Sequence, residues 1–207
     1  MEIQYFGATA VRMSTKKSVA VSDPNPEVAT VKVDTKKANF ILVSQAHNAP
    51  KSQEDLFVID MPGEYEFEDV SVKGIAAQPF QGAAGDKSAT MYRVSTTDAS
   101  VLLTGAVNEK LSEDQLEAIG MVDVLIVPVG GNGYATDAIG AATIARAVEP
   151  KLVVPVYYAE DGVKYEVSPA DLEAFTKELG APVEDPVDKL KLKNIPEQMT
   201  VQPIKVS

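Results

Sequence analysis

The chain contains one histidine, His47, and no cysteine. His47 sits in the stretch Val43 to Pro50 (VSQAHNAP), directly after the apolar run Asn39 to Ser44 (NFILVS). An imidazole titrates near neutral pH, so it can pass a proton to a substrate, or it can serve as a loop side chain bonded to backbone. Two carboxylates stand beside turn formers, Asp23 before Pro24 and Asp60 before Met61-Pro62-Gly63. Each would serve as a ligand or base, or as a cap on its own turn. Tyr157 and Tyr158 follow another apolar run and would contact a ligand or fill space. Gly130-Gly131-Asn132-Gly133 precedes a helical pattern, where backbone donors can hold an anion, although it lacks the lysine and the spacing of a P-loop.

Metal chemistry is constrained by this inventory. A catalytic zinc takes about three protein ligands at about 2.0–2.3 Å and keeps a position for water. With one imidazole and no thiolate, such a site would need several carboxylates around His47. The loop itself supplies only Gln45, Asn48 and alanines, and amides bind zinc poorly.

The elements that must position these residues are legible from hydrophobic period. Glu2 to Phe6, Ala10 to Ser14 and Ser18 to Ser22 read as a meander of antiparallel strands, which Asp23-Pro24-Asn25-Pro26 ends by removing backbone donors. Asn39 to Ser44 is apolar enough to be buried on both faces, and Leu56 to Asp60, Glu64 to Glu68, Val70 to Ile75, Ala89 to Ser95 and Ser100 to Thr104 continue the strands. From Leu111 the period lengthens. Ser112 to Gln115 is a capping box, and Gly120 stops that helix. Val122 to Val129, a helix from Thr136 to Val148 capped by Thr136, and Lys151 to Tyr157 form a β-α-β unit. Ser168-Pro169 opens a last helix that ends at Gly180, and Lys189 to Val206 supplies one or two edge strands. This order predicts two sheets packed together with helices outside, in one domain over residues 1–207.

Composition narrows the function classes. Acidic residues outnumber basic ones by 30 to 19 and the net charge is −11, with Lys and Arg scattered, which disfavours nucleic acid and anionic membrane surfaces as partners. No apolar stretch is long enough to span a bilayer, and the N-terminus lacks the features of a secretory signal, so a cytoplasmic protein is expected.

Several motifs together resemble the metallo-β-lactamase superfamily, in particular its small single-domain branch similar to the ascorbate-6-phosphate lactonases. They are IQYFGATAVRM at the start, VAVSDP, MPGEYEFEDVSVKGI, VDVLIVPVGG and PKLVVPVYY, spread from about Met1 to Tyr158. The resemblance implies a four-layer αββα sandwich of two mixed β-sheets flanked by helices. It also implies a metal loop of the form Thr-His-x-His-x-Asp-His. On this chain Ser44 stands for the threonine, Gln45 for the first histidine, His47 for the second, Ala49 for the aspartate and Pro50 for the third histidine. The family's later Gly-Asp becomes Gly105-Ala106, its Pro-x-His becomes Pro155-Val156-Tyr157, and the histidine that often follows the first glycine is Ala8.

The expectation is therefore a member of the fold that has lost its dinuclear metal site, needs no cofactor, and acts as a non-catalytic binding or assembly protein. Gln45, Asn48, Ala106, Asn132 and Tyr157 would line its pocket, and its partner would be a small molecule, a protein or another copy of the chain. The alternative is a divergent hydrolase of a small phosphorylated or lactone-type substrate, with His47 as the catalytic residue beside nearby carboxylates, where zinc or another divalent metal would enter.

Overall fold

The computed structural model describes residues 1–26, 29–51 and 56–207. Three antiparallel strands open the chain, β1 (Glu2–Gly7), β2 (Ala10–Ser14) and β3 (Val19–Ser22). In β1 every second residue is buried, so Ile3 and Tyr5 point inward as the alternation of EIQYFG requires. A short strand, β4 (Ala29–Thr30), leaves this sheet; β5 (Phe40–Leu42) returns parallel to β3, and β6 (Val58–Ile59) lies parallel to β5. A 3-10 turn, Ala46–Asn48, follows β5.

The second sheet starts as a meander of β7 (Gly63–Phe67), β8 (Val70–Ala77), β9 (Ala89–Ser95) and β10 (Ser100–Leu103). It then turns parallel through α1 (Glu113–Ile119), β11 (Val124–Pro128), α2 (Ala138–Val148) and β12 (Leu152–Val156). β13 (Lys164–Tyr165) pairs antiparallel with β4 as a separate two-stranded ribbon. After α3 (Leu172–Leu179), β14 (Leu190–Lys191) joins the edge of the first sheet beside β1, and β15 (Thr200–Val201) joins the second beside β12. Among the described residues the result is a six-stranded and a seven-stranded mixed sheet with three α-helices, the architecture that the order of elements predicts.

Between the sheets lies one large apolar core. Phe40 and Leu42 of β5 face it while Ile41 faces the other way, against Val33, Ala38, Ala49 and Leu56 from loops. Strands β11 and β12 are buried along their whole length because both faces are covered, and each large side chain so buried contributes roughly 1.5–3 kcal/mol. Ala141, Ala142 and Ala145 are buried, and these small side chains let α2 approach the sheet closely.

The helix starts differ in part from expectation. Ser112 caps α1 with the full capping box, its Oγ accepting from Gln115 N at 3.2 Å while Gln115 Oε1 accepts from Ser112 N at 2.9 Å. Helix α2 is capped by Asp137, not Thr136: Asp137 Oδ1 accepts from Gly140 N at 2.9 Å, and the Thr136 hydroxyl is buried with no hydrogen-bond partner among the described residues. Helix α3 begins after Asp171, because Ala170 N is already committed to Gly130 O at 2.8 Å and Pro169 is buried against the Gly130 loop. Among the described residues no helix is long and apolar enough to cross a membrane.

Candidate functional site

Strands β3 and β5 run parallel, as do β10, β11 and β12. Their C-terminal ends therefore deliver five loops to one rim of the sandwich, the usual place for a ligand in a parallel sheet. These loops carry Asp23, Ser44 to Pro50, Thr104 to Ala106, Gly130 to Asp137, and Tyr157 onward.

The first loop pair is held by a buried carboxylate. Asp23 Oδ1 accepts from Ser44 N at 2.8 Å and Oδ2 accepts from Ser44 Oγ at 2.7 Å. Burial pushes the Asp23 carboxyl up from its ordinary value, while the two bonds from Ser44 oppose that rise. Asn48 is buried behind the turn, with its side-chain amide 3.4 Å from Ser44 Oγ. His47 is exposed on the same turn, close enough to Asp23 to favour the charge of that carboxylate. Gly105 has a φ of +61°, and a Cβ there would lie 2.6 Å from Ser44 Cβ, so only glycine lets the two loops meet this closely.

Gln45 and Ala106 also meet. Gln45 Nε2 donates to Ala106 O at 2.7 Å, and the same carbonyl accepts from Phe80 N at 2.9 Å. Together with Pro79, Gln81 and Tyr134 these residues and His47 line an open depression of about 240 Å³. Gln81 donates to Gly133 O, which ties the far wall to the glycine-rich loop.

Below the depression the side chains are apolar or phenolic. Ala8, Ala135 and Tyr157 form a buried cluster, with Ala29, Ala106, Tyr134 and Tyr165 packed around it. The Tyr157 ring is 1% exposed and meets Tyr165 edge to face, with centroids 5.4 Å apart. Its hydroxyl has no hydrogen-bond partner among the described residues, and burial pushes it up to about 12. Ala8 and Tyr157 both have left-handed backbone, at φ 51° and 53°, a shape that costs a residue with a Cβ roughly 1–2 kcal/mol.

Asn132 lies elsewhere. It is exposed and its side-chain amide donates to Ser168 O. The start of α2 presents the Asp137 carboxylate, which disfavours an anion at the glycine-rich loop. Asp60 is exposed in its turn, outside the depression.

Sequence reasoning missed one group. Glu160 lies in the loop after β12, and its Oε2 accepts from Tyr5 at 2.8 Å and from Tyr165 at 3.2 Å. Burial pushes this carboxyl up to about 7 against the lowering effect of the bonds from Tyr5, Tyr158 and Tyr165. A signal was present in Tyr157-Tyr158-Ala159-Glu160, where an acid follows two phenols at the end of a buried strand.

Among the described residues no group of three or more His, Asp or Glu side chains is placed to hold a metal ion. Around the Ser44 to Pro50 turn the donors are one exposed imidazole and the Asp23 carboxylate already bonded twice by Ser44, while Asp137 caps α2 and Glu160 is taken up by phenols. That set does not fit a zinc pair.

The sequence pattern of the β-lactamase superfamily domain matches residues 2–157. A metallo-β-lactamase superfamily member from Thermotoga maritima, proposed to be a zinc-dependent hydrolase, is 23% identical with a TM-score of 0.78, and the match covers 100% of both chains. Igni18, a metallo hydrolase from Ignicoccus hospitalis, is 16% identical with a TM-score of 0.63 over 86% of this chain and 90% of the other. The metallo-β-lactamase fold protein YhfI from Bacillus subtilis is 8% identical with a TM-score of 0.62 over 97% and 95%. At these identities the likeness is one of fold. No curated protein matches the chain in sequence.

Proposed function

The chain belongs to the β-lactamase superfamily, and from that premise we propose that it is a cytoplasmic member working without the metal pair, as a binding or assembly protein whose rim depression receives its partner. The observation that carries this reading is the packing of Tyr157 with Ala8, Ala106 and Ala135. In the pattern of the family Ala106 and Tyr157 stand at ligand positions and Ala8 at that of the histidine after the first glycine, and here these three supply two methyl groups and a phenol whose hydroxyl is buried. An enclosed apolar cluster offers a cation nothing in exchange for its water. The depression above it, lined by Gln45, His47, Phe80, Gln81 and Tyr134, presents amides, an imidazole and aromatic faces, and suits a neutral or weakly polar group.

Elemental analysis of protein purified without chelator tests the reading. It expects substoichiometric zinc, manganese and iron, and one or more tightly held equivalents per chain would overturn it.

A second reading keeps hydrolysis of a small phosphorylated or lactone-type molecule, with His47 moving the proton. It is favoured by the exposure of His47 in the depression. It requires a carboxylate partner, and the nearby Asp23 has both oxygens occupied by Ser44. Unchanged turnover of a panel of such substrates by His47→Ala would end it.

A further inference from the structure

Glu160 is the meeting point of three phenols from separate parts of the chain. Its Oε2 accepts from Tyr5 of β1 at 2.8 Å and from Tyr165 of β13 at 3.2 Å, and Tyr158, just past β12, bonds the same carboxyl. Each of the first two phenols reaches onward to a left-handed residue. The Tyr5 hydroxyl accepts from Tyr157 N at 2.9 Å and lies 3.2 Å from Ala8 O, while the Tyr165 hydroxyl accepts from Ala8 N at 3.2 Å. Tyr165 also lays its ring against Tyr157. One carboxyl thus joins the ribbon of β4 and β13 to the two backbone positions that shape the floor of the rim.

Among the described residues it is the three phenols donating to this carboxyl that favour its charged form. Among the described residues no Lys, Arg or His forms an ion pair with Glu160. Lys164 is exposed and, being next to Tyr165 in a strand, projects to the opposite side of the ribbon. Asp161 is exposed beside it, and the other groups that face the carboxyl are the three phenols.

We propose that Glu160 is a proton-operated latch: when neutral it holds Tyr165 and the β4–β13 ribbon down on Tyr157, and when ionised it turns out to water and lets the ribbon lift. The path out is short, because Ala159, Asp161 and Gly162 around it are exposed. Burial outweighs the bonds from the phenols and places the change of charge at about 7, where a small change in pH moves a large fraction of the molecules. With the carboxylate gone, Tyr165 loses its acceptor, Ala8 N loses a fixed partner, and Tyr157 loses the ring that covers it. The latch does not depend on what the rim binds.

Backbone hydrogen exchange on the full chain at pH 6 and pH 8, corrected for the intrinsic pH dependence of exchange, tests it. The amides of Ala8, Thr30 and Tyr165 are expected to lose about tenfold in protection between the two pH values, while those of Leu125 and Ile126 in β11 keep theirs. Glu160→Gln, which stays neutral, is expected to remove the difference, and Tyr165→Phe, which keeps the ring but not the bond, to leave the ribbon weakly protected at both pH values. Ribbon protection in the wild type that is independent of pH overturns the latch, and so does a Glu160→Gln protein with the wild-type pH response. The wild-type comparison stands alone should Glu160→Gln fail to fold.

Discussion

Gln45 donates its side-chain amide to the carbonyl of Ala106 across 2.7 Å, joining two positions that each carry a metal ligand in the pattern of the family. The contact closes the rim from one sheet to the other. Below it Tyr157 completes the closure by packing on Ala8, Ala106 and Ala135.

Chelation should therefore leave the fold untouched. A ligand that binds only the folded state raises its stability, so removing a structural or catalytic metal would lower the melting temperature. Dialysis against EDTA is expected to shift the transition by less than about 1 °C in differential scanning calorimetry, within what the absence of linkage allows. A fall well beyond that would show a bound cation.

Tyr157 separates two effects of one side chain. Tyr157→Phe removes a buried hydroxyl that has no partner among the described residues, so stability is expected to hold or to rise by up to about 1 kcal/mol. Tyr157→Ala empties the space under Ala106 and Tyr134 and is expected to cost about 3–5 kcal/mol. Urea denaturation of both variants checks the pair; a Phe variant as damaged as the Ala variant would mean that the hydroxyl is bonded.

Asp23 should matter through Ser44. Asp23→Ala strands the Ser44 N–H and hydroxyl in a buried place, at about 2–4 kcal/mol, and should free the turn Ala46–Asn48. Asp23→Asn keeps one acceptor and is expected to lose about half as much. Equal losses in the two variants, measured by denaturant midpoint, would argue that only the volume of the side chain counts.

The pH dependence of stability has a definite sign. Glu160 is raised in the fold from 4.5 to about 7, so between those values the folded chain binds more protons than the unfolded one. Its contribution is present in full below the unfolded value and is lost as pH rises through the folded value. The shift corresponds to about 3 kcal/mol at most, and to about 1–2 kcal/mol once the exposure that the carboxyl retains is allowed for. Denaturant melts at pH 5 and pH 8 should show this loss, and Glu160→Gln should flatten it relative to the wild type, separating Glu160 from the general repulsion of a chain with net charge −11.

The sequence exposed what is local. Alternation in EIQYFG, the unbroken apolar runs of β11 and β12, and the Ser112–Gln115 box each carry their own signal within a few residues. The loop residues at the rim were legible for the same reason, as substitutions at fixed distances from strand ends. Choices made by packing were not. Thr136 and Asp137 are both good caps, and only the placement of Gly140 N against Asp137 decides between them. Ser168-Pro169 looks like a helix start until Gly130 O takes the amide of Ala170. The ring contact of Tyr157 with Tyr165 and the convergence on Glu160 come from segments distant in sequence, whose pairing no local pattern announces.

The ribbon formed by Ala29–Thr30 and Lys164–Tyr165 also dictates an order of events as the polypeptide acquires its shape. More than half of the chain separates its two strands, so the first waits unpaired until the β-α-β unit between them has been made and docked. Closing so long a loop is slow compared with forming a hairpin. Tyr157 is consequently among the last side chains to be covered, and a chain arrested late in folding would present an almost complete sandwich with an open rim.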